Sequence, residues 1–255
     1  MTAVAASAVK PRASLRSAMK KPPGVNRDNW ICWWVMPFFY TIFGIVFVPL
    51  TRVMPPQSPT KSDEGIVSFF NVHRTGIQIG FVLLLIFISG AGICGGLVAY
   101  QMKRMSVNPV FSYAYIATLA VGGVPGCLFG AFSFLVAAFR PDRDVHLQVL
   151  LYDTTFLTFV GSLGCFATNY LVLSIAILLD KNNVYPRWLA YVGIWQIVTE
   201  VIAIPCFIYR TGPFAWNGAL AFYEGTLIFG VFLGALIMTT KKAIEAQPAG
   251  EVIQP

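Results

Sequence analysis

The sequence predicts an all-α, polytopic membrane protein, a bundle of about six transmembrane helices. Three observations predict it. Six apolar runs each reach the roughly 20 residues that a helix needs to cross a bilayer. Charged residues form 11% of the 255-residue chain and hydrophobic ones 56%, whereas a soluble domain carries about 25% charged residues. The cations fall unevenly on alternate loops, the mark of a chain inserted with a fixed orientation.

The runs cover residues 30–50, 77–101, 110–139, 147–179, 188–209 and 216–239. They bound a transmembrane domain over 29–242, between a basic tail at 1–28 and a second tail at 243–255, both expected to be disordered. The third and fourth runs exceed the bilayer, so they must tilt, kink or extend past the headgroups. Trp30, Trp33 and Trp34 open the first run, Trp188 the fifth and Trp216 the sixth. Trp at headgroup depth is expected to act as an anchor. Pro125 and Pro205 are expected to kink runs three and five.

The longest loop, 51–74, opens with Pro55, Pro56 and Pro59, which impose extended backbone. Ser62 can cap a short helix with Asp63 and Glu64 in its first turn. Ile66, Phe69, Phe70 and His73 then share one face, and the segment is expected to rest on the outer headgroups. Small residues recur four apart at Gly92 and Gly96, at Gly122, Gly126 and Gly130, and at Gly230 and Gly234. That spacing lets helix backbones approach closely. It suits packing inside one bundle, with a homodimer face or a partner membrane subunit as the alternative.

The net charge of +7 is concentrated rather than spread. Twelve cations, Lys10, Arg12, Arg16, Lys20, Lys21, Arg27, Lys103, Arg104, Lys181, Arg187, Lys241 and Lys242, fall on one side; Arg52, Lys61, Arg74, Arg140, Arg143 and Arg210 fall on the other. This places both termini in the cytoplasm. The basic tail reads as a topology signal touching anionic membrane lipids, with no nucleic-acid partner. Its Ala, Ser and Arg content also fits a transit peptide, but Pro11, Pro22 and Pro23 interrupt any long amphipathic helix. A secretory signal peptide does not fit, because the first apolar run is too long and lacks a small-residue cleavage site. Cys32, Cys94, Cys127, Cys165 and Cys206 all lie within runs and form no CxxC, so they read as packing residues.

Acidic residues within the runs are the candidate site. Insertion scales put an Asp at mid-membrane at roughly 2.5–3.5 kcal/mol. Counting 1.5 Å per residue from the outer end, Asp153 lies roughly 9 Å deep, Glu200 roughly 14 Å and Glu224 roughly 12 Å. These similar depths on consecutive runs predict an outer-facing acidic cavity, with Gln78 and His146 at its rim beside His73, Arg74 and Arg210. Gln196, Asn217 and Tyr223 add polar neighbours, while Asn169 lies deeper and suits a hydrogen bond between helices. The competing reading of Glu200 is a protonated carboxyl bonded to a neighbouring helix. There is no Walker loop, HExxH or GxSxG. Two histidines argue against haem or copper, and neither a metal nor a cofactor is expected.

Several short motifs carry a resemblance. They are Asp153 near the start of a long run, Tyr185-Pro186-Arg187-Trp188-Leu189, Gly212-Pro213, Pro55-Pro56-Gln57-Ser58-Pro59, Phe69-Phe70 and Arg74-Thr75-Gly76-Ile77. Over about two thirds of its length the chain resembles actinobacterial multi-pass membrane proteins distantly similar to the DUF4386 family. The resemblance implies a bacterial inner-membrane protein and supplies no catalytic residue. The expected function is binding, or helping to move, a lipophilic or cationic small molecule. The alternatives are an acid–base cyclase or isomerase acting on a lipid-soluble substrate, and a structural accessory subunit.

Overall fold

The computed structural model describes residues 20–140, 142–248, 251 and 253. Among the described residues, six helical segments are long and apolar enough to cross a membrane: Arg27–Leu50, Asp63–Met102, Val110–Phe139, Val145–Leu179, Arg187–Phe207 and Ala219–Glu245. They match the six apolar runs.

Span one is α1 (Arg27–Ile45) with a π-helical turn, Val46–Leu50. Asn26 caps it by accepting the backbone N–H of Asp28 at 2.8 Å. Span two is α2 (Asp63–Phe87) followed by α3 (Gly90–Met102), broken at a Ser-Gly step that interrupts the hydrogen-bond ladder. Span three is α4 (Val110–Thr118), a π-turn (Leu119–Gly123) and α5 (Val124–Phe139). Span four is α6 (Val145–Gly161), a 3-10 turn (Ser162–Phe166) and α7 (Ala167–Leu179). Span five is α8 (Arg187–Ala203), ending in the 3-10 turn Ile204–Phe207. Span six is a π-turn (Ala219–Glu224) and α9 (Gly225–Glu245).

The spans form a closed ring in chain order. Each packs on the next, and span six returns to span one. Both described chain ends meet at one end of the bundle, called proximal here, where Asn29 Nδ2 donates to Gln247 Oε1 at 2.9 Å. The interior divides into two apolar clusters stacked along the bundle. The proximal cluster includes Met36, Val98, Tyr170, Leu189 and Phe232. The distal one includes Phe47, Phe81, Phe134, Phe156 and Trp216. The breaks in spans two, three and four all fall between them. Lipid tails are as apolar as these cores, so the packing rests on close van der Waals fit rather than on the hydrophobic effect.

Glycine shows where that fit is tight. A Cβ on Gly122 would strike the Cys165 carbonyl, on Gly126 the Ser162 side chain, and on Gly130 the Phe159 ring. These three seat span three against span four. Gly92, Gly96, Gly230 and Gly234 differ: a Cβ there meets nothing within 4 Å. In span two the close approach is instead at Gly95, against Leu119.

Several local expectations need correction. Ser62 does cap a helix, accepting the Gly65 N–H at 3.2 Å, but that helix is no separate interfacial element. It runs without a break into span two. Ile66, Phe69 and Phe70 are buried in the distal cluster rather than laid on headgroups. The loop before it is pinned to the bundle. Trp216 Nε1 donates to Gln57 O at 2.7 Å, Tyr152 Oη to Ser58 O at 3.1 Å and Arg210 Nη2 to Pro59 O at 3.3 Å. Trp216 is therefore a buried clasp and not a headgroup anchor. Trp30 and Trp33 are likewise buried; Trp188 is exposed. Pro205 ends the α-helix of span five and does not kink it. The expected tail from 243 is helical to Glu245, and beyond it Glu251 pairs with Arg104 at 2.8 Å. Residues 1–19 of the basic tail and the kink position's side chain at Pro125 lie outside the described residues.

Candidate functional site

The breaks in spans two to four leave a void near the middle of the ring. This cavity of about 90 Å³ is walled by spans one, two, three, four and six. Its lining is mostly Phe, Leu, Ile and Val, with no acidic side chain. Three tyrosines, Tyr40, Tyr115 and Tyr170, and two cysteines, Cys94 and Cys127, also line it. The three tyrosines lie within electrostatic reach of one another. Their hydroxyls make no hydrogen bond among the described residues. Asn169 also lines the wall, but its amide is engaged: it donates to Tyr115 O at 2.8 Å and to Thr118 Oγ1 at 3.2 Å, joining span four to span three. Tyr115 and Tyr170 are buried and Tyr40 is half-buried. Tyr170 packs edge-on to Phe232 at 4.9 Å and Tyr40 lies 5.0 Å from Phe39.

An apolar wall with free hydroxyls can hold a lipophilic molecule and meet one carbonyl, hydroxyl or amine on it. These tyrosines carry no charge, so a search for charged groups within the spans does not find them. A signal was present: Tyr favours the two membrane interfaces, whereas Tyr40 and Tyr170 stand deep within their spans.

The carboxyls occupy different settings. Glu200, on α8, is 1% exposed and accepts from Gln196 Nε2 at 2.6 Å. The other oxygen of each group, Glu200 Oε2 and Gln196 Oε1, is buried without a partner. The pair falls on span five between Ala190 of the proximal cluster and Ala203 of the distal one. Asp153, half-buried on α6, is within electrostatic reach of Arg210. Glu224 ends the π-turn of span six, half-buried, and its side chain has no hydrogen bond or ion pair among the described residues. No hydrogen bond links any two of the three.

Of the two rim candidates, Gln78 is hydrogen-bonded within the bundle and His146 stands at its surface. Gln78 Nε2 donates to Ala138 O at 3.2 Å, beside Arg74 Nε on the same carbonyl at 2.8 Å. Together they satisfy the end of α5, where a cation also suits the helix dipole. His146 is exposed in the first turn of α6, and its backbone N–H is received by Asp144. Among the described residues no three His, Cys, Asp or Glu gather as a metal site, and the five cysteines are free.

These features define a six-helix membrane bundle with a central, tyrosine-lined cavity. No protein-family model, curated protein or solved structure matches the chain.

Proposed function

We propose that the chain is a multi-pass protein of a bacterial inner membrane, both termini cytoplasmic, that binds a slender lipophilic molecule in the central cavity. The observation that carries this reading is the trio of tyrosines, their hydroxyls without hydrogen-bond partners among the described residues, on the wall of a largely apolar void. Drug-sized ligands fill pockets of about 300–1,000 Å³. A void of about 90 Å³ suits a narrow hydrocarbon chain or a small lipophile with one polar group. This reading keeps the lipophilic ligand expected from the sequence and moves its site from an acidic outer chamber to the centre of the ring. The acid–base enzyme reading has less support, because Glu200 is not on the cavity wall. The twelve-to-six cation asymmetry supports the orientation.

The test is ligand retention by the purified protein in detergent. Native mass spectrometry after incubation with a total lipid extract should show a bound lipophile. Tyr115→Phe and Tyr170→Phe should each weaken its binding by about tenfold, the effect of one hydrogen bond worth roughly 1.4 kcal/mol. Ala91→Phe, which fills the void, should abolish binding. Retention unchanged in all three variants would overturn the proposal.

A further inference from the structure

The Glu200–Gln196 pair presents a counting problem that points to a bound proton. A carboxylate offers acceptors only, and the glutamine amide offers one acceptor and two donors. One contact is made, from Gln196 Nε2 to Glu200 Oε1. Written with a carboxylate, it leaves two buried acceptors, Glu200 Oε2 and Gln196 Oε1, facing no donor. A buried polar atom without a partner is costly, and an unpaired buried charge is far more so. Among the described residues no Lys, Arg or His stands within ion-pair distance of Glu200. The titratable side chain of a packed neighbour within electrostatic reach is Tyr170 of α7, itself a phenol.

We infer that Glu200 is a proton-binding site: its Oε2 carries a proton and donates it to Gln196 Oε1, closing a two-bond carboxylic acid–amide ring on one face of α8. One proton satisfies both orphaned atoms and removes the charge. The geometry suits the sequence. The two residues are four apart, hence neighbours on one helix face, and both are flat groups that can pair edge to edge. The ring occupies the boundary between the two apolar clusters, where spans two, three and four have helix breaks. This inference is independent of what the cavity binds.

Infrared difference spectroscopy on the purified protein at neutral pH tests it, with Glu200→Gln and Glu200→Asp beside the parent. The parent should show the carbonyl stretch of a protonated carboxylic acid, lost in Glu200→Gln and shifted in Glu200→Asp. Glu200→Gln should also keep the parent's melting temperature to within about 2 °C, since an amide pairs with Gln196 in the same two-bond manner. The rival occupant is a cation held between the two oxygens. Absence of the acid band from the parent, or a melting temperature that rises with added sodium or lithium and loses that response in Glu200→Gln, would overturn the proton site.

Discussion

Trp216 reaches from the turn before span six to the backbone of Gln57, giving its indole N–H to that carbonyl at 2.7 Å. The contact joins positions 159 residues apart and holds the first distal loop down on the bundle. Tyr152 repeats the device one residue on, at the Ser58 carbonyl. Trp216→Phe keeps the ring stacked on Phe156 but leaves the Gln57 carbonyl without its donor, at about 1–2 kcal/mol. The expected result is a lower melting temperature and faster thiol labelling of a cysteine placed at Ser58. Unchanged labelling in both Trp216→Phe and Tyr152→Phe would show that the loop is held by its apolar contacts alone.

Two glycine substitutions should part company. Gly126→Val drives a side chain into Ser162 and should cost about 1–3 kcal/mol by overpacking. Gly230→Val enters open space and should stay within about 0.5 kcal/mol. Thermal unfolding in detergent measures both. Equal losses would mean that the outward glycine face is occupied in the native membrane.

At the proximal end Arg104 is 10% exposed and reaches three partners: Gln101 Oε1, the Ala243 carbonyl and Glu251 Oε2. Arg104→Ala should cost about 1.5–3 kcal/mol, the range for hydrogen bonds to a charged group. Glu251→Ala removes a single half-exposed ion pair and should cost less than about 1 kcal/mol. A similar loss in both variants would assign Arg104's whole contribution to the ion pair.

Orientation is open to a direct measurement. Topology reporters fused after Lys242 and inserted between Pro56 and Asp63 should report opposite sides, with the Lys242 fusion cytoplasmic. Reporters landing on one side would leave fewer than six crossings.

Much of the architecture is legible in the sequence, and the gap lies in one coordinate. Depth along a span can be counted from residue number; rotation about the span's axis cannot, because lipid and core are both apolar and the helices carry little amphipathic signal. Gly126 and Gly230 show this: the same spacing and composition, yet one seats a neighbouring span and the other faces outward. The carboxyls show it too. Their similar depth suggests a shared chamber, but Glu200 turns to Gln196 while Asp153 answers to Arg210. The distal loop is ambiguous in sequence for another reason. Phe69, Phe70 and Trp216 suit a headgroup layer as well as a protein core, and only tertiary contact chooses between them.

The closure of span six onto span one has a consequence for biosynthesis. Phe229, Phe232, Leu233 and Leu236 supply one wall of the central cavity, and all come from the sixth span, translated after the other five. Until a ribosome has delivered that segment to the bilayer, the earlier spans enclose only a trough open to lipid on one flank. A nascent chain stalled before Phe229 would hold the tyrosines of the chamber without the chamber. Any hydrocarbon that settles among them during synthesis is sealed in when the sixth helix docks.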